Sequence, residues 1–189
     1  MKTKKAMFLG VIILLMVSLI LLLGCAETKT YSKYGFSFEY PRTFSVTETG
    51  ILENEANDTS GIVQVFTEEN EEIKIFQVAW GIAEIEPDEL EDALVNGIEE
   101  GFIVFETDEG IASYERGERV ETTKAGHLLF YQYYAANSTE GDEVYGVISC
   151  FYCDESPKFF SLVTADNTIS AMTDALGDFQ NYLDSFVCH

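Results

Sequence analysis

The sequence predicts an α/β fold in which an antiparallel β-sheet meander is covered by helices on both faces, an α/β/α sandwich, and three observations point there. Successive strand-like runs are joined by connections of a few residues, too short for the crossover that a parallel pair needs. One central run is apolar on both sides, with Leu128, Phe130 and Tyr134 alternating with Leu129, Tyr131 and Tyr133. A strand of that kind belongs in a sheet shielded from water on both faces. Two amphipathic helical segments, one in mid-chain and one at the C-terminus, supply the covers.

Taken in order, "YGFSFEYP" (Tyr34 to Pro41) places Phe36, Phe38 and Tyr40 on one side and Ser37 and Glu39 on the other, and Pro41 ends the strand. Phe44 to Glu48 reads as its short partner, and the polar stretch Asn54 to Gly61 as a loop. Ile62 to Thr67 and Ile73 to Trp80 form a hairpin around the acidic turn Glu68 to Glu72. Pro87 opens a helix where its missing N–H costs nothing, with Asp88 and Glu89 in the first turn. Leu90, Ala93, Leu94, Gly97 and Ile98 make its apolar stripe.

Four strands follow: Gly110 to Thr123, His127 to Ala136, Glu143 to Cys153 and Lys158 to Ala165. Turns at Lys124 to Gly126, Asn137 to Asp142 and Asp154 to Pro157 separate them. The last element is a helix in which Met172, Leu176, Phe179, Leu183 and Phe186 recur at spacings of 3 and 4. There is no internal repeat and no low-complexity tract.

The N-terminus carries an address. Ala6 to Gly24 is uncharged and follows Lys2, Lys4 and Lys5, the layout of an export signal with a basic leading region. An uncleaved anchor has the same length, because about 20 apolar residues span a bilayer. The run ends in Leu22-Leu23-Gly24-Cys25, which resembles the lipobox of secreted lipoproteins. The resemblance implies cleavage before Cys25 and lipidation of that cysteine. Residues 1–24 are thus expected to be a lipoprotein signal peptide, 25–30 a short lipidated tether and 31–189 a single domain. Under either reading the lysines stay inside, so the domain faces outwards from the cell membrane.

All 33 acidic residues but only 8 of the 11 basic ones follow Cys25, leaving the exported part with a formal charge of −25. Nucleic-acid binding needs basic clusters that displace counterions, and Arg116 and Arg119 are bracketed by Glu115, Glu118 and Glu121. Cations, basic proteins or a salty medium suit such a surface better. With 14 Phe and 10 Tyr in the chain, the body has ample material for a core. Asn57 and Asn137 head N-x-S/T sequons in polar stretches suited to loops and matter only where exported proteins are glycosylated.

The order of parts, from "YGFSFEYP" through "TTKAGHLLFYQYY" and "GVISCFYCDESPKFFSLVTAD" to a terminal "YLDSF", resembles the PsbP/Mog1-like domains. The resemblance covers nearly all of Tyr31 to Val187. It implies an accessory or binding role without catalytic residues, and the lipobox fits the lipoprotein members of that group.

The chemical motifs agree. There is no Gly-x-Ser-x-Gly elbow, no His-Glu-x-x-His, no phosphate loop and no dinucleotide fingerprint. His127 starts a strand on the face of Leu129 and Tyr131, where a hydrogen-bonded structural role is expected. Pairs such as Asp108-Glu109, Asp142-Glu143 and Asp154-Glu155 offer oxygen ligands for Ca²⁺ or Mn²⁺ but lack the spacing of a calcium loop. No cofactor and no metal site are expected. Cys150-x-x-Cys153 ends a strand, where residues three apart face opposite ways, so it does not suit a redox pair, and Cys188-His189, adjacent at the chain end, match zinc-ligand spacings poorly. The candidate disulfide is Cys153 with Cys188, which requires the last helical turn to unwind, and three reduced thiols are the alternative. Closing that span would contribute on the order of 3 kcal/mol.

The sequence therefore supports a membrane-tethered, non-enzymatic binding protein serving another envelope component. An acidic Ca²⁺- or Mn²⁺-binding surface protein is one alternative. The other is an enzyme using His127 or the cysteines, which a deep pocket gathering them with carboxylates would favour.

Overall fold

The computed structural model describes residues 28–53, 59–69 and 72–189. The Ala6 to Gly24 run, Cys25 and Asn57 lie outside the described residues. The described residues form ten strands and two helices in the order β1 (Thr28–Lys33), β2 (Phe36–Pro41), β3 (Ser45–Glu53), β4 (Thr59–Glu69), β5 (Glu72–Ile82), α1 (Leu90–Thr107), β6 (Ile111–Lys124), β7 (His127–Ser138), β8 (Glu143–Cys153), β9 (Lys158–Asp166), α2 (Met172–Ser185) and β10 (Val187–Cys188).

Seven strands form one antiparallel sheet in the order β3-β4-β5-β9-β8-β7-β6. Two meanders, β3 to β5 and β6 to β9, are thus zipped together through β5 and β9, where Phe76 stands opposite Thr164 and Trp80 opposite Phe160. The short turns expected between β6 and β9 are present. The tightest, at Ala125-Gly126, has φ of 52° and 93°, the double left-handed geometry that matches strand twist in a two-residue hairpin.

A smaller sheet, β1-β2-β10, departs from expectation. Phe44 to Glu48 is not the partner of β2, because β3 pairs with β4 instead. The partner is β1, whose first three residues fall within the expected tether, so the described fold starts at Thr28. Tyr34 and Gly35, with φ of 54° and 79°, are the turn between them rather than the start of β2. On the other side β2 receives Val187 and Cys188, since α2 stops at Ser185 and the chain becomes extended.

Pro87 does not open α1 either. Residues 87–89 form a turn, with the Glu89 N–H donating to Glu86 O at 2.9 Å, and the helix starts three residues after the proline. Asn137 is likewise not in a loop, since it closes β7 half-buried and donates to Ser113 Oγ at 3.3 Å.

The large sheet buries alternate residues in two clusters. Val147, Phe151 and Cys153 of β8 join Phe36, Phe38, Phe160 and, from α2, Phe179 and Leu183. Ile148 and Cys150 of the same strand join Phe130 and Tyr134 of β7 and Leu94, Ile98 and Phe102 of α1. Each large apolar side chain fully buried this way is worth roughly 1.5–3 kcal/mol. The exposed edge strand β6 carries Glu115, Arg116, Glu118, Arg119 and Glu121 and a bulge after Arg116, which discourages pairing with another chain.

One close approach in the second cluster fixes a residue choice. Tyr134 is buried and its hydroxyl donates to Thr164 O at 2.8 Å, passing over Gly146. A Cβ at position 146 would run into the Thr164 carbonyl and the Tyr134 ring. Gly146→Ala is expected to cost about 1–3 kcal/mol or more in urea unfolding, because backbone cannot yield as a side chain can.

Candidate functional site

Two places gather polar chemistry. The first is a cleft of about 550 Å³ beside β1, β2, β5 and α2. Tyr40, Phe44, Ile75 and Tyr182 supply apolar lining, and Thr28 also borders it. Its charged groups arise from sheet register. Lys74 stands opposite Asp166 in the β5–β9 pair, and its Nζ reaches Asp166 Oδ2 at 2.9 Å. Asp166 Oδ1 accepts from the backbone N–H and the hydroxyl of Thr168, both at 2.6 Å.

Asp178 of α2 lies beside this pair. Burial pushes its carboxyl up from the ordinary value against the pull of Lys74, and the Asp166 charge, a hydrogen bond with Asp166 and the charge of Asp174 add to the rise. Burial also raises the Tyr182 hydroxyl. A carboxyl raised in the folded state binds its proton more tightly there than in the unfolded chain. Folding is therefore favoured while Asp178 is protonated, and that advantage is lost as pH climbs through its folded value. Asp178→Asn should raise the Tm at neutral pH and leave it unchanged below the carboxylate range. An equal gain at acid and neutral pH would contradict this assignment.

The second place lies where β7 starts, β8 ends and β10 closes the chain. Cys153 is joined to Cys188, with Cα atoms 6.5 Å apart. The turn out of α2 that this pairing needed is the one that forms β10. His127 faces the bridge: its Nε2 is 3.7 Å from Cys188 Sγ, while its Nδ1 is 3.1 Å from Asp154 Oδ1. Ser156 Oγ donates to Cys153 Sγ at 3.5 Å. Cys150 is free and buried on the other side of β8, and burial pushes its thiol up to about 12, which leaves it unreactive at neutral pH. His189 turns to β2, where its Nε2 is 3.1 Å from Ser37 Oγ.

The strand phase that separates Cys150 from Cys153 was legible in the sequence. The approach of His127 to Cys188 was not, because it needs β10 docked on β2 beside the turn after β8, a register that no local pattern encodes. The acidic pairs named from the sequence are engaged singly. Asp108 Oδ1 accepts from the Gly110 N–H at 2.8 Å, Asp154 meets His127, and Glu143 accepts from the Tyr145 hydroxyl at 3.3 Å. Among the described residues, His127, Cys153 and Cys188 are the one trio with ligand atoms within 4.8 Å of one another. None of the three borders the cleft.

Among the described residues, antiparallel sheets with two helices, a leading strand pair and a C-terminal helix packed near it make a PsbP/Mog1-like fold. The solution structure of cyanobacterial PsbP (CyanoP) from Synechocystis sp. PCC 6803 is similar with a TM-score of 0.63, at 16% identity over 88% of this chain and 95% of that one. The Saccharomyces cerevisiae Ran-binding protein Mog1p is similar with a TM-score of 0.52, at 12% identity over 87% of this chain and 96% of that one. No protein-family model and no curated protein sequence matches the chain. Among the described residues no helix is long and apolar enough to cross a membrane.

Proposed function

We propose that the protein is a membrane-tethered, extracytoplasmic lipoprotein whose domain binds or assists another envelope component without catalysing a reaction. Cys25 is the attachment point, and residues 1–24 are its signal peptide. The domain's architecture is a three-layer sandwich with α1 over one face of the large sheet and α2, together with the small sheet, over the other. The observation that carries the reading is the position of Thr28 at the border of the cleft. Thr28 stands three residues after Cys25, and three extended residues reach only ~11 Å. A lipid on Cys25 therefore keeps the cleft at the membrane surface, within reach of a neighbouring protein.

The cleft combines apolar lining with an ion pair and a second carboxyl, which suits recognition of a protein segment with one basic or hydrogen-bonding group. The histidine and cysteines on which an enzyme reading would rest are elsewhere. The Ran-binding protein Mog1p, whose fold is similar, is named for a binding role.

The test is photo-crosslinking in native membranes, with the probe at Asn181, which borders the cleft, and at Glu109 as a control. A reproducible neighbour captured from position 181 and not from 109 is the expected result. Capture of no reproducible protein from 181 overturns the binding reading.

A further inference from the structure

We propose that His127, Cys153 and Cys188 form a redox-gated site for a zinc ion, closed while the two sulfurs are bonded to each other and opened when a dithiol reductant separates them. The donor set is of the right chemistry, two thiolates and one imidazole, a combination that binds zinc with a fourth position left open. One of its ligand separations is already near that of a bound ion. Tetrahedral zinc with ordinary Zn–S and Zn–N bonds holds its sulfur and nitrogen ligands about 3.5 Å apart. His127 Nε2 already lies 3.7 Å from Cys188 Sγ.

The ring is also oriented for ligation. The Asp154 carboxylate can only accept, so Nδ1–H is the nitrogen that donates to it, and Nε2 is the ring position left facing the sulfur as a ligand atom. A carboxylate on the far nitrogen of a ligating histidine is the usual outer partner of a zinc ligand. Here it comes from the turn after β8, one residue beyond Cys153.

The gate follows from access. Cys188 is half-buried and Cys153 wholly buried, so an incoming thiolate attacks Cys188 Sγ. The S–S bond breaks and Cys153 leaves as a thiolate facing the Ser156 hydroxyl. The reductant's second thiol then displaces Cys188, so that the reductant departs as a disulfide and the protein has gained two electrons and two protons. Binding Zn²⁺ to the two sulfurs releases those protons to solvent. The sulfurs must move apart to make room, and β10, only two residues long, is the element free to shift. Once bound, the ion ties β10 to β7 and β8 as the disulfide did.

The test uses the full-length chain carrying Cys25→Ala and Cys150→Ala, so that the only sulfurs from cysteine are those of the pair. The protein is reduced with a phosphine and titrated with Co²⁺, then with Zn²⁺. We expect one equivalent of Co²⁺ to produce a thiolate charge-transfer band that Zn²⁺ abolishes, and the oxidised protein to produce none. Asp154→Asn should weaken binding about 10–100-fold while keeping the band. His127→Ala should weaken it at least as much and shift the ligand-field spectrum. If reduction loosens the fold, Zn²⁺ should raise the Tm of the reduced protein and not of the oxidised one. Absence of the band in the reduced protein, equal Co²⁺ binding in the oxidised protein, or no change on His127→Ala would each overturn the proposal.

Discussion

Cys25→Ala is expected to abolish incorporation of labelled fatty acid and to leave an uncut precursor of higher mass. The physical basis is the junction itself: an apolar run of 19 residues ends in Leu22-Leu23-Gly24-Cys25, and an acidic domain begins at once. A single acyl chain gives only marginal membrane binding, so stable attachment requires the fully modified cysteine or the retained apolar run. The two are separable. If the variant keeps its lipid label, the anchor lies elsewhere. If the wild-type protein carries no label yet stays in the membrane fraction, the run is an uncleaved anchor.

Phe36→Ala should be the most damaging single truncation in the core, at about 3–5 kcal/mol in chemical denaturation. Phe36 is wholly buried and meets Trp80 at 5.0 Å, Phe160 at 5.4 Å and Phe186 at 5.6 Å between ring centroids. Phe36 stands on β2, and those rings belong to β5 and β9 of the large sheet and to the residue just after α2. No neighbour can collapse into the space without unseating another. Phe105→Ala, at the half-buried end of α1, should cost much less because it packs at the periphery of the other cluster. Comparable losses in the two variants would show that the two clusters contribute alike and that Phe36 is not the hub.

What the sequence disclosed and what it hid divide along the range of the interactions. The strands β4 to β9 were readable because alternation and short turns are local, and α2 because its stripe repeats every 3 or 4 residues. The small sheet was not. β1 reads as polar, with Tyr31 its one buried side chain. β10 is two residues long and follows a helix whose apolar spacing extends into Phe186. Pairing of β3 with β4 rather than β2 depends on which surface each can bury, and β3 is largely exposed on both sides.

The cleft was hidden for the same reason. Lys74 and Asp166 are 92 residues apart and meet only through strand register. The disulfide pair could be offered as a candidate because strand phase argued against Cys150 with Cys153 and Cys153 sits at the mouth of a turn, whereas the imidazole beside it could not.

The small sheet also sets a timetable for synthesis. β1 and β2 emerge first and can form their hairpin at once, but the rings of Phe36 and Phe38 pack on Phe186, and the outer edge of β2 is filled by Val187 and Cys188. A ribosome or an export channel delivering the chain from its N-terminus must release nearly every residue before that surface has its partners. Until then a row of aromatic side chains and an open strand edge face the surroundings. Were the chain exported as proposed, the late arrival of residues 186–188 would favour its crossing in an unfolded state.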